Sequence, residues 1–232
     1  MKGATLIRRL GVTEADFSAL REAVSSAERT TSGEIALAIT PESSDYSFFE
    51  LLFAVLAGAL AFACLLSFAA PLSALLDRLS WHKPEWLVPA FYGAASFAVI
   101  GLLFLAANIP AVDRLVVPQA WRHRAVYRRA LRHFVESGVY ATADRTGILI
   151  FISWMEKEVR ILADTGISTR IVQTEWDAIA LTITRGIRSG NPTDALVDAV
   201  TACGKLLAEH FPPSAENPNE IADGLVVLEG GE

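Results

Sequence analysis

Two long uncharged segments constrain this chain more than any other feature of its sequence. Residues 51–76 and residues 87–112 contain no Asp, Glu, Lys or Arg. Each segment is about 26 residues long, and roughly 20 apolar residues suffice for a helix to cross the hydrocarbon core of a bilayer. The alternative is a pair of buried helices in a soluble protein, but such helices normally carry a polar residue in every turn. The sequence therefore predicts two membrane-spanning helices that form a hairpin.

Individual residues in the two segments agree with a hairpin in a membrane. Trp86 and Tyr92, near the start of the second segment, have the position of an interfacial aromatic belt. Gly58 and Gly93 are small enough to let two helices approach closely. Pro71 is expected to bend the end of the first helix, because proline cannot donate a backbone hydrogen bond. The linker over residues 77–86 then forms the hairpin tip.

The distribution of charge predicts an orientation and excludes one class of partner. The formal net charge is −6, so nonspecific nucleic-acid binding over the whole surface is not expected, and no nucleic-acid partner is predicted. The hairpin tip balances its basic residues with acidic ones, whereas six arginines follow the second segment: Arg114, Arg122, Arg124, Arg128, Arg129 and Arg132. The positive-inside rule then predicts an integral protein of a bacterial inner membrane, with both termini cytoplasmic.

The arginine-rich segment over residues 121–133 has two interpretations. A helix with this composition is suited to lie against anionic lipid beside the membrane span. It is equally suited to present a solvated face, since the arginines are already explained by the orientation of the hairpin. The amino terminus lacks the apolar core of a secretory signal, so the first span itself is expected to direct insertion.

The sequence outside the hairpin predicts a small α/β domain. Thr13 and Asp16 have the spacing of a helix cap, and apolar residues follow them with helical periodicity. Short β-branched runs bounded by Gly or Pro predict strands. The predicted helices cover about residues 13–29, 120–137, 168–189 and 193–210, with Thr193 as a cap, and the predicted strands cover 34–40, 147–153 and 158–163. The last part is expected to be a flexible tail in which residues 224–228 add a short edge strand.

Asp144 and Asp164 are the candidate metal ligands. The strands over residues 147–153 and 158–163 are close enough in sequence to form an antiparallel hairpin, which places Asp144 and Asp164 at the same end of the sheet. Gly147 and Gly166 beside them are expected to permit tight turns. Carboxylates near backbone carbonyls suit Ca²⁺, which prefers several oxygen ligands. The alternative is that both are ordinary turn residues that cap local backbone.

Several of these segments resemble the TPM domain family, which includes thylakoid lumen proteins. The resemblance rests on AERTTSGEIALAIT (residues 27–40), on ADRTGILIFISWMEKEVRILADTGI (residues 143–167), and on the closing helices with Trp176 and Gly190. It implies a fold of α/β/α layers with a small mixed sheet, interrupted here by a transmembrane helical hairpin. Some family members bind Ca²⁺ or another divalent cation through acidic residues at strand ends, and Asp144 and Asp164 occupy the matching loops. No organic cofactor is expected.

The predicted organisation has four parts, namely a first part of the TPM-like domain (1–47), the transmembrane hairpin (48–112), a second part of that domain (113–212) and a flexible tail (213–232). The expected function is a membrane-anchored binding or accessory module whose partners are the lipid bilayer and another membrane protein. A weak metal-dependent acid phosphatase is the alternative, since the resemblance implies that activity for some members. A channel subunit is disfavoured because ionisable residues usually line such pathways.

Overall fold

The computed structural model describes residues 3–79, 84–107, 110–213 and 219–231 of the chain. It contains two compact units. Residues 1–45 and 120–232 form the first, which is called the α/β unit here, and residues 46–119 form the second, the helical unit. The predicted hairpin tip at residues 77–86 includes residues 80–83, which lie outside the described part.

The described strands of the α/β unit form one mixed sheet of four strands in the order β3-β2-β1-β4. β1 pairs in parallel with β2 and with β4, and β2 pairs antiparallel with β3. The strands are β1 (Glu34–Thr40), β2 (Gly147–Ser153), β3 (Glu158–Ala163) and β4 (Leu225–Val227). The predicted bounds of the first three strands and the predicted antiparallel hairpin are confirmed, as is the short strand in the tail.

Ten helices occur in the described part of the chain. They are α1 (Gly3–Leu10), α2 (Glu14–Glu28), α3 (Ser47–Leu66), α4 (Ala69–Leu79), α5 (Leu87–Ala107), α6 (Pro110–Val116), α7 (Gln119–Glu136), α8 (Thr165–Ser168), α9 (Gln173–Ser189) and α10 (Pro192–His210), and a short 3₁₀ turn covers Val139–Ala141. α1 was not expected from the sequence, yet its Leu6 is fully buried in the core of the α/β unit.

Alternate residues of each strand supply the two halves of the core. Ile35, Leu37 and Ile39 of β1 belong to the cluster that includes the inner faces of α2, α9 and α10. Ala36 and Ala38 belong to the opposite cluster, with Val126, Ala130 and Phe134 of α7. Because successive strand residues point to opposite faces, the sheet is covered by helices on both sides. The predicted α/β/α layering is confirmed.

Local chemistry accounts for several of the helix ends in this unit. Thr13 and Asp16 form a reciprocal capping box at the start of α2, as predicted. Gly138 and Gly190 adopt left-handed conformations (φ +79° and +83°) where α7 and α9 end. The prediction of Thr193 as a cap was wrong, because α10 already begins at Pro192. Proline is tolerated in a first helical turn, where its missing N–H has no intrahelical partner.

Two other predicted helices are divided in the structure. The region predicted as one helix over residues 168–189 contains the end of α8 and then α9, which starts at Gln173. The first uncharged segment covers most of α3 and most of α4, and these two helices are separated at Ser67 and Phe68. Pro71 lies in the first turn of α4, and in a continuous helix its ring would clash with the carbonyl of Ser67. The break therefore occurs earlier than the predicted bend near the helix end.

Within the helical unit, α3 and α5 pack against each other. A side chain at Gly58 would meet Ile100, so this glycine permits the close approach that the sequence predicted, whereas a side chain at Gly93 would meet nothing within 4 Å. Trp86 is 66% exposed, but Tyr92 is buried and contacts the ring of Phe62 edge to face at 6.4 Å. Tyr92 thus packs inside the helical unit, and the interfacial belt stays a prediction.

Most of the segment predicted as a flexible tail packs on the α/β unit. Beyond β4, Leu228 donates its N–H to the carbonyl of Ile39 at 2.8 Å, and the carbonyl of Glu229 accepts from Arg129 at 3.2 Å. Ile221 also donates to the Glu34 carboxylate. Residues 214–218 and 232 of the tail lie outside the described part of the chain.

Candidate functional site

The candidate site lies where β1 and β2 begin and β3 ends, called the amino edge here. Asp164 follows β3 and donates its N–H to the carbonyl of Gly147 at 2.9 Å, while Glu34 donates to the carbonyl of Thr146 at 3.2 Å. The antiparallel pairing of β2 with β3 returns the chain to this edge. Asp144 precedes β2 by three positions, so both predicted metal ligands lie at the same end of the sheet.

Asp164 and Asp144 differ sharply in environment. Asp164 is only 5% exposed, and one carboxylate oxygen, Oδ1, accepts from the N–H of Thr165 at 2.5 Å as the cap of α8. Its other oxygen, Oδ2, is buried without a hydrogen-bond partner. Asp144 is exposed. The capping role is the alternative that the sequence left open for Asp164, but it occupies only one of the two oxygens, and an unpaired buried carboxylate oxygen is costly.

The backbone around these residues is closely packed. A Cβ atom at Gly166 would lie 2.5 Å from the carbonyl oxygen of Arg145 and 3.0 Å from that of Asp144. A Cβ atom at Gly147 would likewise meet the carbonyl of Val139. Both glycines therefore permit close approach of two backbones. The left-handed conformation of the loop occurs instead at Arg145 (φ +56°), which is unfavourable for a residue with a side chain.

The donor atoms at the amino edge suit a hard cation only in part. No group of three or more His, Cys, Asp or Glu side chains converges as a metal site among the described residues. Oxygen donors are nevertheless present as Asp164 Oδ2 and the carbonyls of Asp144 and Arg145, and Ca²⁺ accepts carboxylate, carbonyl and water oxygens together. The unpartnered Oδ2 fits a role as a cation ligand, and the metal site at Asp144 and Asp164 stays a prediction.

Four more carboxylates lie at the same edge, beside β1 and β4, and none was identified from the sequence: Glu28, Glu34, Glu220 and Asp223. Glu28 Oε1 accepts from the N–H of Ile35 at 2.7 Å, and Glu34 Oε2 accepts from the N–H of Ile221 at 3.2 Å. Glu220 accepts from the N–H of Ala143, which attaches the tail to the Asp144 loop.

The charges of these carboxylates are coupled. The pKa of Glu28 is raised to about 8, chiefly by burial and in smaller part by the nearby carboxylates of Glu34 and Asp223. Burial also raises the pKa of Glu34, with Glu220 and Asp223 adding to the effect. A proton is therefore retained on this cluster where isolated carboxyls would be ionised.

The opposite edge of the sheet carries a buried network of hydroxyls around Glu156. Ser153 donates its hydroxyl to Glu156 Oε2 at 2.6 Å, and the N–H of Ser43 donates to Oε1 at 2.9 Å. The hydroxyls of Ser43 and Ser153 are themselves 2.6 Å apart. All three residues are at most 7% exposed. The network joins the end of β1 to the β2-β3 turn, so its evident role is structural.

One further charged group connects α7 to β3. One carboxylate oxygen of Glu158 is hydrogen-bonded to His123 Nδ1. The other oxygen accepts from Arg160 Nε at 2.5 Å. The spacing of His123 and Glu158 in the sequence gave no indication of this pair, because it depends on how α7 lies across the sheet. The cysteines take no part in either edge, since Cys64 lies in α3 and Cys203 is buried in α10.

In the described part of the helical unit, two helices are long and apolar enough to cross a membrane, Ser47–Leu66 and Leu87–Ala106. In the most apolar 18-residue stretch of each helix, only 11% and 6%, respectively, of the stretch is buried inside the structure. Core helices of soluble proteins bury one face, so such sparse burial is unusual for them.

The chain is similar to a known family model and to a solved structure. Residues 113–206 match the family model of the TPM domain. No curated protein matches the chain. The NMR structure of the BA42 protein from the psychrophilic bacterium Bizionia argentinensis is similar, with a TM-score of 0.53 over 93% of this chain and 94% of that chain. The sequences are 17% identical, so this likeness concerns the fold alone. The resemblance to the TPM domain is therefore confirmed for residues 113–206.

Proposed function

We propose that the chain is a membrane-anchored TPM-like protein, of a branch with an inserted transmembrane hairpin, that serves other membrane complexes as a binding or accessory module. The observation that carries the proposal is the nearly unburied apolar surface of α3 and α5. Leu60 is 66% exposed and Phe97 is 76% exposed. Continuous apolar surface of this extent is rare on soluble monomers and marks a membrane or protein contact. A bilayer covers such surface along the whole length of both helices.

The arginines that follow the second span support a cytoplasmic position for the α/β unit, in a bacterial inner membrane. Labelling tests both the anchoring and this orientation. Membranes that contain the full chain are first extracted with alkaline carbonate, which an integral protein resists. A cysteine that replaces Ser189, exposed on α9, should then react with an impermeant maleimide only in inverted vesicles. Release by carbonate would contradict the anchoring, and reaction in right-side-out vesicles would contradict the orientation.

The accessory role predicts a second membrane protein that stays bound in mild detergent. Size-exclusion chromatography of the solubilised full chain should therefore show a complex that contains a stoichiometric companion. Isolation of the chain alone, at native expression and in mild detergent, would count against this role.

The amino edge is the proposed site for Ca²⁺ or another divalent cation. Asp164 Oδ2 would supply the buried carboxylate oxygen, the carbonyls of Asp144 and Arg145 would add neutral oxygen ligands, and the exposed carboxylate of Asp144 would add charge. The left-handed Arg145 supports this proposal, since strained backbone recurs at ligand sites. A bound cation would relieve the uncompensated burial of Oδ2.

Calorimetric titration with Ca²⁺ tests the cation site on the full chain in detergent. Asp144→Asn with Asp164→Asn should abolish binding, because the asparagine at position 164 retains the cap acceptor but not the charge. Asp194→Asn with Asp198→Asn is the matched control, since both residues are exposed on α10 and the charge change is equal. Equal binding by all three proteins would contradict the assignment.

The phosphatase alternative makes a further prediction for the same variants. Cation-dependent hydrolysis of p-nitrophenyl phosphate that is lost with Asp144 and Asp164 would favour a metal-activated water at the amino edge. Hydrolysis that survives the double substitution would remove this site from any such reaction.

A further inference from the structure

The outer face of α7 differs from the exposed faces of the other helices in the α/β unit. Its exposed residues include four large apolar or aromatic side chains, with exposed fractions between 43% and 51%: Trp121, Tyr127, Leu131 and Val135. Three arginines are exposed on the same helix, namely Arg124, Arg128 and Arg132. These seven residues are called the α7 outer face here.

The two kinds of side chain are interleaved around the helix. At about 100° per residue, the seven positions fall within an arc of roughly 140°, and the arginines alternate with apolar residues across it. On the opposite side of α7, Val126, Ala130 and Phe134 pack in the core. The composition of the α7 outer face is therefore not explained by the packing of α7 on the core. It is a separate surface with its own composition.

A solvated helix face has a different composition. The exposed face of α9 carries charges of both signs, including Glu175, Asp177 and Arg185, with Leu181 as its large apolar residue. The α7 outer face contains no carboxylate, and the single carboxylate of α7 is that of Glu136 at the carboxyl end of the helix. This cationic surface occurs in a chain whose formal net charge is −6. The composition matches the headgroup region of a bilayer, where Trp and Tyr settle and long cationic side chains reach phosphates.

We propose that the α7 outer face binds the anionic lipid surface of the membrane in which the chain is anchored. The inference rests on the proposed anchoring. About a dozen residues separate the end of α5 from the start of α7, and such a chain spans at most roughly 40 Å when fully extended. A surface tethered this closely has a high effective concentration at the bilayer, so weak contacts suffice. A second copy of the chain is a less favourable partner for the α7 outer face, because the three arginines of one copy would face the three arginines of the other.

Charge makes the interaction specific for anionic lipid. Each cation near an anionic surface contributes about 1 kcal/mol, so the loss of three should lower the equilibrium constant for the lipid-bound state on the order of a hundredfold. Arg129, by contrast, is 7% exposed and bonds the carbonyl of Glu229, so it belongs to the core of the unit.

Spin labelling of the full chain in nanodiscs tests the proposal. A nitroxide is placed at Leu131→Cys, and at Leu181→Cys on α9 as a control, in a chain that carries Cys64→Ala. Cys203 is retained because it is fully buried and burial raises the pKa of its thiol to about 12, so it does not react. Accessibility to oxygen and to a water-soluble nickel chelate is then compared between phosphatidylcholine discs and discs that also contain phosphatidylglycerol.

In anionic discs the label on α7 should gain oxygen and lose nickel accessibility, whereas the label on α9 should not change. Arg124→Gln with Arg128→Gln and Arg132→Gln should abolish the gain. Arg185→Gln with Arg188→Gln and Lys205→Gln removes the same charge from other exposed positions and should leave it intact.

The proposal would be overturned if the label on α7 were fully accessible to nickel in both lipids. It would also be overturned if the triple arginine variant behaved like the parent. Protection of the face from the nickel chelate that is the same in both lipids would also overturn it, since the contact that covers the face would then not depend on anionic lipid. Incorporation into discs and carbonate resistance are measured in parallel, so a failure of anchoring is distinguished from a failure of lipid binding at α7.

Discussion

Substitution of Glu28 by Gln should make the α/β unit more stable at neutral and mildly alkaline pH. Glu28 is 6% exposed at the end of α2, and its Oε1 accepts from the N–H of Ile35 at 2.7 Å. The pKa of Glu28 is raised from 4.5 to about 8, mainly by burial, with a smaller contribution from the carboxylates of Glu34 and Asp223. Glutamine retains an oxygen acceptor for Ile35 but cannot ionise, so it preserves the contact and removes the titration.

The size and sign of the effect follow from proton linkage. Between pH 4.5 and about 8 the folded chain retains the proton that the unfolded chain has released, so the free energy of unfolding falls as pH rises. The stabilising contribution is complete below pH 4.5 and is lost as pH passes through about 8. At 1.36 kcal/mol per pKa unit, the loss is at most about 5 kcal/mol for this group.

Urea unfolding of the full chain in mild detergent, followed by circular dichroism near pH 5 and near pH 8, measures this loss. The parent should lose stability between the two values, and Glu28→Gln should lose several kcal/mol less. Glu22→Gln, on the exposed side of the same helix, should follow the parent. A Glu28→Gln profile parallel to that of the parent would refute the reasoning, and so would a variant that is less stable than the parent at both values.

Three further substitutions test the packing described above. Gly58→Ala should destabilise the α3-α5 pair by about 1–3 kcal/mol, because the added Cβ meets Ile100. Gly93→Ala, the control, should be neutral or stabilising. Thermal unfolding in detergent compares the two variants, and equal midpoints would contradict the close approach of the helices. Phe151→Ala should cost about 3–5 kcal/mol of unfolding free energy at a fully buried site, against a small change for the 48% exposed Leu181→Ala. Thr13→Ala should cost about 1 kcal/mol through loss of the capping box, and no change in the urea midpoint would count against that box.

Much of the fold could be predicted because its signals are local. The bounds of β1 and β2 agree with prediction, since each is an apolar run bounded by Gly or Pro. The position of Asp144 and Asp164 at one edge followed from the hairpin alone. The break at Ser67 was missed by several residues, because Pro71 indicates where a helix cannot continue but not where it must stop.

The rest of the amino edge could not be predicted from local patterns. Glu28 and Glu34 interact with Asp223 and Glu220 only because the tail returns to pair with β1, and the hydrogen bond from Ile221 to Glu34 joins residues 187 positions apart. The sequence predicted an edge strand over residues 224–228 but not the strand with which it pairs, so it did not indicate that Glu220 and Asp223 lie beside Glu28 and Glu34. The unpartnered Oδ2 of Asp164 likewise depends on burial, which the sequence does not show.

The placement of the helical unit between β1 and β2 sets the order of events during synthesis. Glu34 of β1 pairs in register with Gly147 of β2, and both uncharged segments lie between them in the chain. At 5–20 residues per second, a ribosome needs roughly 6 to 23 seconds to make the intervening chain. During that time β1, whose apolar EIALAIT sequence is prone to nonspecific β pairing, has neither β2 nor β4 beside it. Completion of the sheet must therefore wait until both uncharged segments have left the ribosome, which makes folding of the α/β unit a late step in synthesis.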